Sequence, residues 1–363
     1  MRITIDATSA LVRSAGVKGY TYHWLRSLRK EAAARNEGDE IRAFPLLDEW
    51  ISLDHQTSAV SPAATLAGLG LLHAINAVGP PLLDWALRGT QVFHASNLVR
   101  HAPRRARLTA TIHDLTSWIM PEVHTRATTR ADRSFAKRIL NKADGLIAVS
   151  ENTRQDAIRL LGIQPERVRT IHSGVPDEYF DAAPRARPKP YVLYVGTIEP
   201  RKNLDTLLDA WNSLKPDTRE QFDLVIAGPQ GWHSWRTMWR VRQDAKYLGY
   251  VPEKRLPGLV AGAALFVYPS LYEGFGFPVV QAMAARVAVL SSRASCLPEI
   301  AGDAAVYIDP QSASEMAAQL TRLLESPEER SRLASIGRAR AECYRWERCA
   351  KESLDFFREI AAG

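Results

Sequence analysis

Cysteine is scarce in this chain. Cys296, Cys343 and Cys349 are the only three in 363 residues, and no C-x-x-C spacing joins any two of them. An odd, unclustered set argues against a disulfide framework and against a cysteine zinc site, and it fits a reducing compartment. There is no H-E-x-x-H pattern and no D-x-D triplet, so a metal site is not expected. Long apolar runs are missing too. No Asp, Glu, Lys or Arg occurs over 56–83, and Gly68, Gly70, Gly79, Pro80 and Pro81 break the stretch. Its clean part, 63–78, is shorter than the roughly 20 residues a spanning helix needs. It reads as a buried or surface-lying helix, with membrane contact left open. The first ten residues carry Asp6 and lack the basic end and apolar run of a secretion signal. The cytoplasm is the expected location, with peripheral contact at the inner membrane face.

Apolar residues make up 46% of the chain and charged residues 24%, which is enough for a sizeable core. The length suits two domains. The net charge of +7 is lopsided. Residues 1–176 hold 23 basic and 16 acidic side chains, a surplus of +7, and 177–363 hold 24 of each. The surplus is densest around Arg104, Arg105 and Arg107, and again across Arg126, Arg130, Arg133 and Lys137. Such asymmetry points to an anionic partner: a membrane surface, nucleic acid or a phosphorylated substrate. A merely solvated basic face gives the same pattern.

Short apolar, β-rich runs recur, each followed by a helix-like segment. They fall at 2–6, 91–94, 108–113 and 145–149, then at 191–195, 223–227, 264–268 and 287–290. Strands alternating with helices predict parallel sheets in α/β domains. The proline-rich stretch between the two sets has no period and reads as a linker over 177–190. The plan is therefore an N-terminal domain over 1–176 and a C-terminal domain over 191–345. A closing helix over 346–363 has the N-terminal domain as a surface to return to. In doubly wound folds, ligands bind at the carboxyl ends of the strands.

Several strand-to-helix junctions carry candidate chemistry. The strongest is Tyr268-Pro-Ser-Leu-Tyr-Glu273-Gly274-Phe275-Gly276-Phe277-Pro278-Val-Val-Gln281. Two glycines permit close backbone approach, and Pro278 suits the first helical position. A helix start then offers N–H groups and a positive dipole end to phosphate. Glu273, just ahead, suits sugar hydroxyls. A tight turn with a surface Glu would look the same. The second junction is Gly196-Thr-Ile-Glu199-Pro-Arg201-Lys202-Asn203. Paired cations there suit a diphosphate leaving group, although a basic cap is the plainer alternative. Ser14-Ala-Gly16-Val-Lys18-Gly19 opens a helix, and His113 closes a strand. Each alone is weak.

Taken together in order, these segments resemble glycosyltransferase family 4. Leu248-Gly249-Tyr-Val251-Pro252, Leu297-Pro298-Glu299 and Trp346-Glu347 join the set, and the likeness spans nearly the whole chain. It is strongest to bacterial mannosyltransferase-type members that build surface polysaccharides. The resemblance implies a GT-B architecture: two Rossmann-like α/β domains facing across a cleft, acceptor in the first and donor in the second. It also implies retention of configuration, no cofactor and no metal. Arg201 and Lys202 would bind the donor diphosphate, Glu273 the transferred sugar, and the N–H groups of Gly274, Phe275, Gly276 and Phe277 sugar and phosphate. Gly196 would allow close approach, and Gly16 and Gly19 would let the first loop close. His113 would lie beside sugar and acceptor. The family commonly has a second Glu eight residues after the first, and here it is Gln281. An amide still bonds ribose hydroxyls but without charge assistance. GDP-mannose is the expected donor, with UDP-sugars and dTDP-rhamnose as alternatives. The expected acceptor is a saccharide or lipid-linked diphosphate, docked by Arg104, Arg105, Arg107, Arg126, Arg130, Arg133 and Lys137. Two rival readings are a nucleotide-sugar 2-epimerase and a basic nucleic-acid-binding protein, for which no helix-turn-helix or RNA-binding motif is found.

Overall fold

The computed structural model describes residues 1–13, 16–45, 50, 53–185 and 187–363. Ser14 and Ala15 of the first glycine segment lie outside them. The chain forms two units. The first holds 1–119, 126–174 and 346–363, and the second holds 120–125 and 175–345.

In the first unit, β1 (Arg2–Asp6), β2 (Glu40–Phe44), β3 (Val92–Ala95), β4 (Arg107–Ile112), β5 (Gly145–Ala148) and β6 (Val168–Thr170) form one sheet. Its order is β2-β1-β3-β4-β5-β6, and every pairing is parallel. The strand order reverses between β1 and β3. There the Asp6 carboxylate accepts from the backbone N of Ser96 (2.9 Å) and from its hydroxyl (2.6 Å). The helix Gly16–Arg35 buries Tyr20, Trp24, Leu25, Leu28 and Ala32, a 3–4 spacing that makes one apolar stripe. The C-terminal helix Trp346–Ala362 packs on that stripe. Trp24 donates from Nε1 to Ser353 Oγ at 3.0 Å, and its ring lies 6.0 Å from Phe357.

In the second unit, β7 (Tyr191–Val195), β8 (Asp223–Ala227), β9 (Lys246–Gly249), β10 (Leu265–Tyr268), β11 (Val289–Ser292) and β12 (Ala305–Ile308) form another parallel sheet. Its order is β12-β11-β10-β7-β8-β9. This is the doubly wound arrangement, with its crevice between β7 and β10.

One expectation changes. The 177–190 stretch is no free linker, because Asp177–Phe180 is a helix whose Tyr179 and Phe180 are buried in the second unit. The guanidinium of Arg345 lies 3.5 Å from the Phe180 ring centroid. The uncharged stretch forms the helices Pro62–Val78 and Pro80–Ala86. Leu72, Ile75 and Leu83 are buried, while Leu66 and Trp85 are exposed. Among the described residues, no helix is long and apolar enough to cross a membrane.

Candidate active site

The loops that leave β7 and β10 meet at the crevice of the second sheet. After β7 the backbone passes Gly196, whose carbonyl lies 1.9 Å from where a Cβ on Gly228 would stand. Only glycine at 228 tolerates that approach. A single turn, Pro200–Lys202, then places Arg201 and Lys202. Asn203 follows in the left-handed conformation (φ 57°) and donates from its side chain to the carbonyls of Pro269 (3.1 Å) and Pro310 (2.7 Å). The backbone N of Leu271 donates to the Arg201 carbonyl at 2.9 Å. The two loops are thus one hydrogen-bonded body.

Glu273 sits inside that body and is buried. Lys202 Nζ lies 2.5 Å from its Oε1, and Arg201 Nη1 lies 2.8 Å from its Oε2. Arg201 also donates to Glu199 Oε1 (2.8 Å) and to the Tyr272 carbonyl (2.7 Å). Lys202 adds Tyr268 Oη at 2.8 Å. The cluster holds two cations and two carboxylates. Burial works to raise the Glu273 carboxyl, but the Arg201 and Lys202 charges and the Lys202 hydrogen bond outweigh it and hold it down to about 2. Desolvation, then repulsion from Arg201, pushes the Lys202 ammonium down against the pull of Glu273. Each charge offsets part of the other's burial cost.

Glu273 is therefore no surface turn residue, and Arg201 and Lys202 are no open basic loop. All three were visible as candidates, but their mutual ion pairing was not. Sequence reasoning missed three supports. Glu199 orients Arg201, Tyr268 bonds Lys202, and Ser295 Oγ accepts from the backbone N of Glu273 at 2.8 Å. The only signal for Glu199 was its place two residues before Arg201.

Beyond Glu273 the chain enters the helix Phe277–Ala284. Its cap is Gly276 in the left-handed region (φ 84°), with no side-chain cap, and a Cβ there would meet Leu297 at 2.7 Å. Phe277 is the first helical residue and Pro278 the second, one position later than expected. Phe275 turns its ring into the core against Phe277 and Tyr344. Gln281 lies one turn into the helix and is partly exposed. A cavity of about 420 Å³ in the same unit is lined by Arg185, Arg187, Tyr250 and Arg255, and includes none of the ion-paired cluster.

In the first unit, Gly16 and Gly19 lie within the first turn of a helix, not in an open loop. Lys18 is fully buried and donates to the carbonyls of Asp54 (3.1 Å) and Thr57 (2.7 Å). His113 follows β4, half-buried, with its ring edge-on to Tyr20 at 4.8 Å. Desolvation pushes its imidazole down to about 4 despite the Asp114 carboxylate, so it is neutral at pH 7. Arg126, Arg130, Arg133 and Lys137 fall on one exposed face of the helix Arg126–Arg138. Arg104 and Arg105 are exposed, whereas Arg107 starts β4 and pairs with Asp144 at 3.1 Å. No cluster of metal-ligating side chains occurs among the described residues.

Two parallel doubly wound units, one with an ion-paired cationic cluster at its switch point, define the GT-B class of glycosyltransferases. The "Glycosyl transferases group 1" profile matches residues 176–340, and "Glycosyltransferase Family 4" matches 55–179. The O-antigen chain mannosyltransferase B of Escherichia coli is 32% identical over 79% of this chain and 80% of its own. An MMP alpha-(1->4)-mannosyltransferase of Mycolicibacterium hassiacum is 30% identical over 62% of this chain and 56% of its own. Among solved structures, sucrose-phosphate synthase of Thermosynechococcus elongatus superposes with a TM-score of 0.74 at 20% identity, covering 99% of both chains. Anabaena HepE in complex with UDP-glucose does so at 0.68 and 16%, again covering 99% of both. The chain belongs to glycosyltransferase family 4 and is a glycosyltransferase enzyme.

Proposed function

We propose that this enzyme is a retaining, metal-independent mannosyltransferase using GDP-mannose. Its acceptor would be a saccharide or lipid-diphosphate-linked chain in surface polysaccharide synthesis. The observation that carries the reading is the Arg201–Glu273–Lys202 cluster at the β7/β10 crevice. A diphosphate entering there meets two cations already held in place by Glu273 and Glu199. Preorganised charge of this kind stabilises a leaving group without reorganisation cost. Mannose is favoured by the mannosyltransferase names of the relatives.

In this reading Arg201 and Lys202 bind the diphosphate. Glu273, anchored between them, addresses the hydroxyls of the transferred sugar. The main chain of Gly274, Phe275, Gly276 and Phe277 contacts sugar and phosphate, and Gly196 lets the β7 loop approach. Gln281 takes the ribose. Gly16 and Gly19 are assigned to the donor phosphates, and the neutral His113 to the transferred sugar and acceptor. The bond from C1 to the phosphate oxygen breaks on the same face where the acceptor oxygen bonds C1. The departing phosphate takes the hydroxyl proton. His113 orients and need not be a base. The exposed row Arg126, Arg130, Arg133 and Lys137, with Arg104 and Arg105, draws the enzyme to anionic lipid, at about 1 kcal/mol per basic residue.

A thermal-shift screen against GDP-, UDP- and dTDP-sugars tests the donor, since a ligand bound only by the folded form raises the melting point. GDP-mannose is expected to give the largest shift. A larger response to a UDP- or dTDP-sugar would overturn the donor assignment. Co-sedimentation with anionic vesicles at low and high salt tests the docking face, and salt-insensitive absence of binding would remove it.

A further inference from the structure

Three tryptophans stand exposed beside the donor loops. Trp232 is 37% exposed, Trp235 68% and Trp239 62%. The last two belong to the helix Trp235–Asp244, which follows β8. Met238 and Val241 are the buried residues of that helix. Trp235 and Trp239 therefore share one outward face, about one turn or 5.4 Å apart along the axis. Large exposed aromatic rings in a group mark a contact surface.

This aromatic ledge is tied to the cationic cluster through backbone. Ile198 N donates to the Pro229 carbonyl and Gly231 N to the Ile198 carbonyl, both at 2.9 Å. Ser234 Oγ donates to the Gly231 carbonyl at 2.9 Å. The strand of chain that carries Glu199 toward Arg201 is thus paired with the strand that carries Trp232. The Trp232 ring is itself held, since Nε1 donates to the Val123 carbonyl at 2.6 Å. The His124 ring lies tilted against it at 6.0 Å and 31°. Both ring nitrogens of His124 are shielded from solvent and have no hydrogen-bond partner among the described residues.

The charge around the ledge decides its occupant. Arg240 is paired with Asp205 (3.0 Å) and Asp209 (2.5 Å). Arg236 lies 4.9 Å from the centroid of the Trp235 ring. With Arg242 the helix carries three cations against Asp205, Asp209 and Asp244. There is no cationic surplus for anionic headgroups, unlike the Arg126–Lys137 face. A neutral saccharide fits better. A pyranose has an apolar C–H face that lies flat on an indole ring and a rim of hydroxyls for Arg nitrogens.

We propose that Trp232, Trp235 and Trp239 form a subsite for a neutral saccharide chain, stacking the sugars behind the acceptor end on the indole rings. It rests on the saccharide-acceptor reading above. The test titrates α-linked mannohexaose and mannose by calorimetry into the full-length enzyme, W235A/W239A and W235F/W239F. The expected result is hexaose binding by wild type, weakened on the order of tenfold or more in the double alanine and largely kept in the double phenylalanine. Melting temperatures confirm that each variant folds. Equal hexaose affinity in wild type and double alanine, or no binding by wild type, overturns the proposal. So does loss of vesicle co-sedimentation in the double alanine with hexaose affinity unmoved, which would assign the ledge to a membrane. Nucleotide thermal shifts on the same wild-type preparation report the donor site separately, so its failure and the failure of this subsite are distinguishable.

Discussion

Arg201 reaches across 72 positions of sequence to place Nη1 2.8 Å from Oε2 of Glu273, while Lys202 takes the other carboxylate oxygen. The acid proposed to bind the sugar and the cations proposed to bind the phosphates are thus one buried cluster. Each depends on the others for its charge and its position, so a change at one of them disturbs all three.

Arg201→Ala should lower kcat strongly, by about 10²- to 10³-fold, the usual scale for removing one preorganised donor at a developing negative charge. Steady-state transfer with a saturating acceptor checks it. Donor turnover surviving nearly intact would sink the assignment of Arg201 to the leaving group.

Glu273→Ala should cost stability as well as activity. It leaves Arg201 and Lys202 buried beside each other with only Glu199 between them, and breaking a buried pair typically costs about 3–5 kcal/mol. Urea midpoints at constant m-value measure this. Glu273→Gln keeps the hydrogen-bond acceptor and should fall between wild type and alanine.

Acid should destabilise the fold in two overlapping windows. His113 and His94 are pushed down to about 4 and about 3, chiefly by desolvation, from an unfolded value of 6.5. The unfolded chain therefore binds protons first, and stability falls as pH drops from about 6.5 toward 3. Glu273 is held at about 2 against 4.5 unfolded, so its contribution is present above 4.5 and lost as pH falls toward 2. Melting temperatures between pH 7 and 3 test this, and His113→Gln should flatten the upper part of the acid limb.

Gln281→Glu should tighten the donor if this position addresses the ribose. A charge-assisted hydrogen bond gains on the order of 1 kcal/mol over a neutral one, about fivefold in affinity. Calorimetry with nucleotide and nucleotide-sugar reads it. An unchanged affinity would remove Gln281 from the donor site.

Gly276→Ala forces an L residue to φ 84° and drives its Cβ toward Leu297. The backbone alone costs about 1–2 kcal/mol, and the helix start shifts with it. Both stability and donor affinity should fall, as read by melting temperature with and without nucleotide.

The strands legible in sequence were the interior ones. Every run picked out lies at β1, β3, β4, β5, β7, β8, β10 or β11, the interior strands, whose side chains are mostly buried on both faces. The four that were missed, β2, β6, β9 and β12, are the four sheet edges. Edges read as Glu-Ile-Arg-Ala-Phe or Lys-Tyr-Leu-Gly, because one side faces solvent and charge there blocks unwanted pairing.

Order and spacing of local motifs, each a strand end joined to a helix start, settled the class of enzyme and the candidate residues Arg201, Lys202, Glu273 and Gln281. Local chemistry is written in neighbouring residues, so it can be read without coordinates. Tertiary structure alone decided what those residues do to one another: that Glu273 closes on both cations, that Glu199 steers Arg201, that Tyr179 and Phe180 bury what resembled a linker, and that the last helix lies on Trp24. Ion pairs and packing join residues tens to hundreds of positions apart. Their strength comes from burial and distance, and sequence spacing records neither.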